Sequence, residues 1–237
     1  MKLRCILGIF LAIYTSMAAV RGSVPIIVST PSRLKTAMKL VSDAQGLLEK
    51  GNVSGAMHNV DAALRIDPAM WPALYVRAQI LASEGKYDLA VRDCNEALRQ
   101  YRGCVEAALL RANINIHLGK YSEALKEFNS LASLHPRFVT LARVLSDRAW
   151  FYSTCPDGSF RNGQQAVKDA KAACSIMVWK DENMIDTLAA AYAEIGDFNS
   201  AVQYAQQALA IKSISATDSK RIHRHLESFQ QHKPIRL

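Results

Sequence analysis

The sequence predicts an all-α protein made of about five stacked helix–turn–helix repeats, and three observations lead to this prediction. Residues that favour helices, above all Ala, Leu, Gln, Glu, Lys and Arg, dominate the 237 residues. After the first residues, no β-branched run bounded by turn signals predicts a strand. The phrase "EGKYDLAVRDCNEAL" (84–98) has relatives along the chain at a period of 34 residues. Such a period, with two helical patterns in each, is typical of a helix–turn–helix solenoid.

Three columns of residues recur with this spacing and indicate what each position does. The columns are Gly51, Gly85 and Gly119, then Ala56, Ala90 and Ala124, and then Val60, Cys94 and Phe128. A glycine permits the tight turn where the first helix of a repeat, helix A, ends. The alanine five residues later begins the close packing of the second helix, helix B, against helix A. Each repeat is therefore expected to bury its apolar face against its neighbours.

Two alanine columns resemble the small-residue positions of the tetratricopeptide repeat (TPR) family over nearly everything after residue 36. Helix A carries Ala44, Ala78, Ala112, Ala149 and Ala189, and helix B carries Ala56, Ala90, Ala124, Ala166 and Ala201. The resemblance implies a right-handed superhelical solenoid of about five repeats with a C-terminal capping helix. The expected organisation is a linker over 23–36, repeats over 37–70, 71–104, 105–138, 139–181 and 182–215, and a capping helix with a basic tail over 216–237.

The fourth repeat departs from the period. Its two alanines, Ala149 and Ala166, lie 17 residues apart, against 12 in the first three repeats. Five residues are therefore inserted around "TCPDGSFRNG", a Pro/Gly/Asp loop that we expect to project from one edge. The stretch from "AWFYSTCPD" through "DTLAAAYAEIGDF", with the closing "HKPIRL", is similar to a subgroup of exported bacterial repeat proteins.

A basic column and an acidic column stay in step through this insertion. The predicted pairs are Arg77 with Asp93, Arg111 with Glu127, and Arg148 with Asp169. Their separations are 16, 16 and 21 residues, and the last differs by the five inserted residues. The columns therefore predict an ion pair within each of three repeats. The alternative is a row of arginines that binds an acidic ligand.

The first residues predict a secretory signal peptide over residues 1–22. Lys2 and Arg4 precede an apolar run, and small residues follow it, in the order that export signals use. Cleavage is expected after Ala18, with Gly22 as the second choice. The body would then be exported, either periplasmic or secreted. The alternative is an uncleaved membrane anchor, although the apolar run is shorter than the roughly 20 residues that a span needs.

The charge and the end of the chain add little about partners. The formal net charge is +8, and much of the excess follows Lys212. A nucleic-acid binder would show a basic stripe with interleaved aromatic residues, so no nucleic-acid partner is expected. Ile222, Leu226 and Phe229 recur at helical spacing near the end and predict the capping helix that a solenoid needs.

The sequence predicts no catalytic residue, no metal site and no cofactor. It lacks a phosphate loop, a zinc-protease motif and a C-x-x-C pair. Cys155, in the inserted loop, is the one candidate nucleophile, and Arg161 is the only nearby cation that could lower the pKa of its thiol. A disulfide between Cys155 and Cys174 is not expected because helical residues separate them. Cys94 stands where the next repeat has Phe128 and is predicted to be a core thiol.

The resemblance also implies a concave groove lined by the A helices, where an extended peptide or a partner's helix would bind. The groove candidates are Gln45, Tyr75, Gln79, Leu109, Asn113, Ile116, Trp150 and Asp186, with Val41, Ser146 and Glu194 at further aligned positions. The alternative for Trp150 is packing between the fourth and fifth repeats. Family members that clamp a carboxylate use lysine and asparagine in the groove; here only Asn113 matches, and Val41 and Tyr75 stand where lysine would be needed.

These observations favour a non-catalytic protein–protein interaction module or assembly scaffold, with a protein partner. Two alternatives stay open at this point. One is a thiol-dependent enzyme centred on Cys155. The other is an adaptor that an uncleaved N-terminal segment tethers to a membrane.

Overall fold

The computed structural model describes residues 31–134 and 138–237, so the predicted signal peptide lies outside the described residues. Within these ranges the structure has eleven α-helices, one short 3-10 helix and no strand. The helices are α1 Pro31–Glu49, α2 Val53–Ile66, α3 Trp71–Ser83, α4 Tyr87–Gln100, α5 Val105–His117, α6 Tyr121–Ser133, α7 Phe138–Thr154, α8 Gly163–Ile176, α9 Glu182–Glu194, α10 Phe198–Leu209 and α11 Ala216–Gln230. The all-α fold class is confirmed.

The chain divides into two compact halves after Ala107, inside α5. The N-terminal half comprises α1 to α4 and the beginning of α5. The C-terminal half comprises the rest of α5 and α6 to α11. Consecutive A and B helices pair within the halves: α1 with α2 and α3 with α4 in the first, and α7 with α8 and α9 with α10 in the second.

Helix α1 begins at Pro31 and therefore includes the last six residues of the predicted linker, 23–36. Leu34, Met38 and Val41 are buried at helical spacing, and they form an apolar face that packs with α2. Proline at the start of the helix fits because its missing N–H would have no partner within the helix. The linker prediction is wrong for residues 31–36, because the apolar periodicity already begins at Leu34.

The predicted turn glycines have the backbone conformation that their role requires. Gly51, Gly85 and Gly119 have φ of 75°, 73° and 70°, and Gly196 has φ of 82°. L-residues rarely adopt this left-handed conformation, whereas glycine adopts it readily. At Gly85, for example, the N–H bonds to the carbonyl oxygen of Ala82 and closes helix A.

The alanine columns lie at the centre of the packing. Every one of the ten alanines has no exposed surface (0%). Val60, Cys94 and Phe128, the third column, are likewise fully buried. Because protein interiors are close-packed, a larger side chain in either alanine column would force the two helices of a repeat apart.

The inserted loop of the fourth repeat folds back onto the C-terminal half, and the expectation that it projects is wrong. A 3-10 helix, Gly158–Phe160, brings the Phe160 ring to 5.8 Å from the Tyr121 ring and 6.2 Å from the Phe151 ring, measured between centroids. Arg161 donates hydrogen bonds to Glu194 (3.1 Å) and to the carbonyl oxygen of Cys155 (2.9 Å). The loop contains one large apolar side chain, Phe160, and its partial burial against aromatic residues holds the loop against the C-terminal half.

Helix α11 is the predicted terminal helix. Ile222 and Phe229 are fully buried on its inner side, and it packs against α9 and α10. The tail beyond it returns to the end of α7, where the N–H of Leu237 donates to the carbonyl oxygen of Thr154 at 3.0 Å. Arg236 Nη1 lies 2.7 Å from a carboxylate oxygen of Glu194. Among the described helices, none combines the length and the apolar character needed to cross a bilayer.

Candidate functional site

The groove candidates of the N-terminal half lie on helices α1 and α3. Gln45 is on α1, and Tyr75 and Gln79 are on α3. All three side chains are half-buried, so each retains surface that a ligand can reach. Val41, at a further aligned position, is buried with 4% exposure and belongs to the core.

Two groove candidates of the C-terminal half are core residues. Leu109 is 2% exposed and Ile116 is 8% exposed. Both lie on α5, which is buried on several sides because apolar residues occupy most of its circumference. The prediction that Leu109 and Ile116 contact a ligand is therefore wrong.

Asn113, also on α5, forms a polar contact that the alignment of the repeats did not predict. Its side-chain Nδ2 donates to Oδ2 of Asp147 on α7 at 3.2 Å. Burial raises the pKa of the Asp147 carboxyl, and the bond from Asn113 and the charge of Arg143 oppose that rise only in part. The two residues are 34 positions apart, which is one repeat period. This spacing is visible in the sequence. In the alignment of the alanine columns, however, Asn113 corresponds to Trp150, so the contact with Asp147 was not predicted.

Asp186, on α9, is fully buried (0%) and anchors the terminal helix. One carboxylate oxygen accepts a hydrogen bond from Arg221 at 2.8 Å, and His225 Nδ1 lies 2.9 Å from the same oxygen. Arg221 also bonds to Asn183 and Asp218. Asp186 is therefore not available to a ligand, and its assignment to the groove is corrected. No sequence pattern indicates this contact, because 35 and 39 residues separate the partners.

Trp150, on α7, lies beside this anchor. Its ring centroid is 5.6 Å from that of His225, with the rings tilted by 33°. The indole is half-buried and keeps part of its surface open. Trp150 thus packs against the terminal helix. We call the surface that Asp147 and Trp150 present on α7, beside the His225 ring, the inner face of the C-terminal half.

The arginine and acidic columns form three bidentate ion pairs. The shorter N–O distances are 2.7 Å for Arg77–Asp93, 2.6 Å for Arg111–Glu127 and 2.7 Å for Arg148–Asp169. Arg148 and Asp169 are the most buried, with side-chain exposures of 14% and 4%. Each guanidinium has its fork on a carboxylate of the facing helix B. The alternative, a row of arginines open to an acidic ligand, does not fit this geometry.

Cys155 lacks the features of an activated nucleophile. Its side chain is fully buried (0%). Burial raises the pKa of the Cys155 thiol, and the nearby charge of Arg161 lowers it by less. A reactive cysteine needs the reverse, an accessible thiol with a lowered pKa. Burial also raises the pKa values of Cys104 and Cys174 to about 12. Within residues 31–134 and 138–237, no cluster of His, Cys, Asp and Glu could hold a metal ion.

An aromatic stack between α9 and α10 was also not predicted from the sequence. The Tyr192 and Tyr204 rings are 5.3 Å apart and nearly parallel, and Trp179 stacks on Tyr204 at 6.1 Å. The ammonium of Lys171 lies 5.2 Å from the Tyr192 ring centre. Trp179 reaches this position from the α8–α9 turn with φ of 56°, a conformation that no sequence pattern in that turn predicts.

Comparisons with known proteins agree with the repeat architecture. Models of the tetratricopeptide repeat match residues 43–103, 81–145 and 184–214. The chain belongs to the tetratricopeptide repeat family, whose fold is typically a non-catalytic scaffold for protein–protein interaction. No match was found among curated protein sequences.

Solved structures share the fold at low sequence identity. A TPR protein of Thermus thermophilus matches with a TM-score of 0.67 and 16% identity, covering 82% of this chain and 99% of that one. The APC/C hetero-tetramer Cut9–Hcn1 matches with a TM-score of 0.70 and 17% identity, covering 87% of this chain but only 38% of that one. YrrB, described as a TPR protein with an unusual peptide-binding site, matches with a TM-score of 0.51 and 14% identity, covering 79% and 92%. At these identities the likeness shows the fold alone.

Proposed function

We propose that the chain is an exported, non-catalytic module that binds a segment of a partner protein on its A helices. The observation that carries this proposal is the surface formed by Asn113, Asp147 and Trp150 in the C-terminal half. These side chains come from two successive A helices, are half-buried, and combine polar groups with one large aromatic ring. Partly buried aromatic residues beside polar groups are the usual components of a binding hot spot.

The N-terminal half presents a similar mixture, with Tyr75 beside Gln79 on α3 and Gln45 on α1. Amide side chains can pair with the backbone of an extended segment, and a tyrosine offers a large contact area with few rotatable bonds. Two structural neighbours support the proposal by what their descriptions name: a peptide-binding site in YrrB and a hetero-tetramer in Cut9–Hcn1.

Crosslinking affinity capture tests this function. The full chain would be the bait against the exported fraction of its source cells, beside a variant carrying Tyr75→Ala, Asn113→Ala and Trp150→Ala. A matched control would carry Lys126→Ala, Gln203→Ala and Gln207→Ala, which change exposed positions of B helices α6 and α10. We expect a partner that the wild type and the control capture and the groove variant loses, with all three proteins equally helical by circular dichroism.

Two other outcomes would redirect the proposal. A partner that the groove variant retains and the control loses would move the interface to the B helices. A partner that both variants retain would move it to the inserted loop or the tail. Either result contradicts binding on the A helices.

A further inference from the structure

The contacts of the terminal helix indicate which kinds of side chain can pack beside the inner face of the C-terminal half. Helix α11 is rich in basic side chains, and it presents Arg221 and His225 to the fully buried carboxylate of Asp186. His225 also lies against the Trp150 ring. One part of this face is therefore already occupied by a basic helix, which is held by a carboxylate and an indole.

Asp147 belongs to the same face of α7 as Trp150. It precedes Trp150 by three residues on α7, so the two side chains lie on the same side of the helix one turn apart. Asn113 bonds to the Asp147 carboxylate from α5. The surface around Asp147 thus contains a carboxylate and the Trp150 ring. Helix α11 contacts the same two kinds of group, the Asp186 carboxylate and the Trp150 ring.

Asp147 differs from five other carboxylates of the described residues because no arginine or lysine nitrogen is in direct contact with it. Asp93, Glu127, Asp169, Asp186 and Glu194 each lie within 3.1 Å of an arginine nitrogen. In the described ranges, Asp147 receives only the bond from the neutral amide of Asn113, and Arg143 acts on it through charge alone. A half-buried carboxylate with no cation in direct contact is a position where an incoming cation can form a favourable ion pair.

We propose that Asp147 binds a lysine or arginine side chain of the partner segment, with the aliphatic stem of that side chain against Trp150. This inference rests on the proposed function and names the chemistry of its partner: a basic segment. Asn113 holds the carboxylate in place, and the indole face offers both apolar contact for the methylenes and attraction for the charge. The face would therefore select a positively charged group, whereas a groove that clamps a carboxylate selects a negatively charged one.

Three fluorescein-labelled amphipathic dodecapeptides test the charge preference. They share one sequence except that their polar positions carry Arg, Gln or Glu. Each is titrated with the full chain and followed by fluorescence anisotropy. We expect the Arg peptide to bind about tenfold more tightly than the Gln peptide, with the Glu peptide weakest.

The variant Asp147→Asn assigns the preference to one residue. It keeps the size of the side chain and one acceptor oxygen for Asn113, but it removes the charge. We expect the advantage of Arg over Gln to fall to about twofold or less in this variant. Asp43→Asn, which neutralises an exposed carboxylate on α1, should keep the wild-type preference. Thermal melting would verify that both variants are folded.

The outcomes separate this inference from the proposed function. If all three peptides bind equally and Trp150→Ala weakens all of them, the module binds segments on this face and the charge inference is overturned. An Arg advantage that survives Asp147→Asn overturns it as well, because the attraction then arises elsewhere. If the Arg peptide fails to bind even at about 1 mM, the inference fails, while a partner captured through the A helices would still support the function.

Discussion

Arg148 and Asp169 form two hydrogen bonds, at 2.7 and 3.0 Å, across the helix pair of the fourth repeat. Their side chains are 14% and 4% exposed, whereas Arg77 and Arg111 are 31% and 28% exposed in the corresponding pairs. The same interaction therefore occurs at three depths in one protein. Breaking a buried pair leaves an uncompensated charge, and the consequence increases with burial.

We expect Arg148→Ala to lower the free energy of unfolding by about 3 kcal/mol or more. Arg111→Ala should have a smaller effect, up to about 3 kcal/mol, because solvent reaches Glu127 more readily. Urea denaturation followed by circular dichroism measures both. Lys126→Ala, on the exposed side of α6, is the control and should change stability little. Equal stability of Arg148→Ala and the control would show that the pair contributes nothing.

The cysteines should resist modification in the folded protein. With pKa values near 12, Cys104 and Cys174 would have roughly one thiolate in ten thousand thiols at pH 8. The pKa of Cys155 is also raised, and its side chain is fully buried. Alkylation read out by peptide mass spectrometry should therefore label these three positions much faster in urea than in buffer. Rapid native labelling of Cys155 alone would instead revive the interpretation of the chain as a thiol enzyme.

The anchor of the terminal helix can be weakened without touching that helix. In Asp186→Asn, the side chain loses the charge that holds Arg221 and His225 and offers one acceptor oxygen instead of two. We expect amide hydrogen exchange in residues 216–230 to become about 10- to 100-fold faster, since hydrogen bonds to charged groups contribute about 1.5–3 kcal/mol. Glu227→Gln changes a carboxyl on α11 that keeps surface open to solvent, and it should leave exchange unaltered. Unchanged protection in Asp186→Asn would mean that apolar packing alone holds α11.

Asp147 should make the protein less stable as the pH rises. The pKa of its carboxyl is raised in the folded state, so the folded protein holds this proton more tightly than the unfolded chain. The group therefore favours folding at a pH below its unfolded pKa of 3.8, and this contribution is lost as the pH rises through the folded pKa. The free energy of unfolding of Asp147→Asn, minus that of the wild type, should therefore be larger at pH 7 than at pH 4. The opposite trend in paired urea melts would show that the ionised carboxylate stabilises the fold.

If the chain is exported, we expect its N-terminus to be processed. Mature protein from its source cells should begin at Ala19, or at Ser23 if the second cleavage choice is used. N-terminal sequencing or intact mass of the purified protein gives the answer. A mature chain that keeps Met1 and sediments with membranes would favour the tethered adaptor.

The repeat architecture could be predicted from the sequence because it depends on local and periodic features. Glycine is needed at Gly51, Gly85 and Gly119 for a left-handed turn, and the alanines are needed wherever two helices approach closely. Both requirements recur with the period, so a single chain displays them several times. The three ion pairs follow from the same register, since their partners lie within one repeat.

The candidate site was less predictable because its contacts join different repeats. Asp186 has the sequence position of a groove residue, but a helix more than thirty residues later covers it. The polar contact of Asn113 with Asp147 joins one repeat to the next. It was not predicted because the alanine columns of these two repeats are 37 residues apart, not 34, so they do not align Asn113 with Asp147. Leu109 and Ile116 occupy groove positions by alignment but are buried, because alignment assigns a face without reporting what packs on it.

The five residues inserted into the fourth repeat have a small entropic consequence. The Arg148–Asp169 pair closes a segment whose ends are 21 residues apart, against 16 in the two preceding repeats. Loop-closure entropy grows only with the logarithm of length, so the longer segment adds about 0.2 kcal/mol to the free energy of closing it. That increment is far smaller than the effect expected from losing the pair. The turn between helices A and B is therefore the place where a repeat of this kind can gain residues, and with them new surface, while its helix packing stays unchanged.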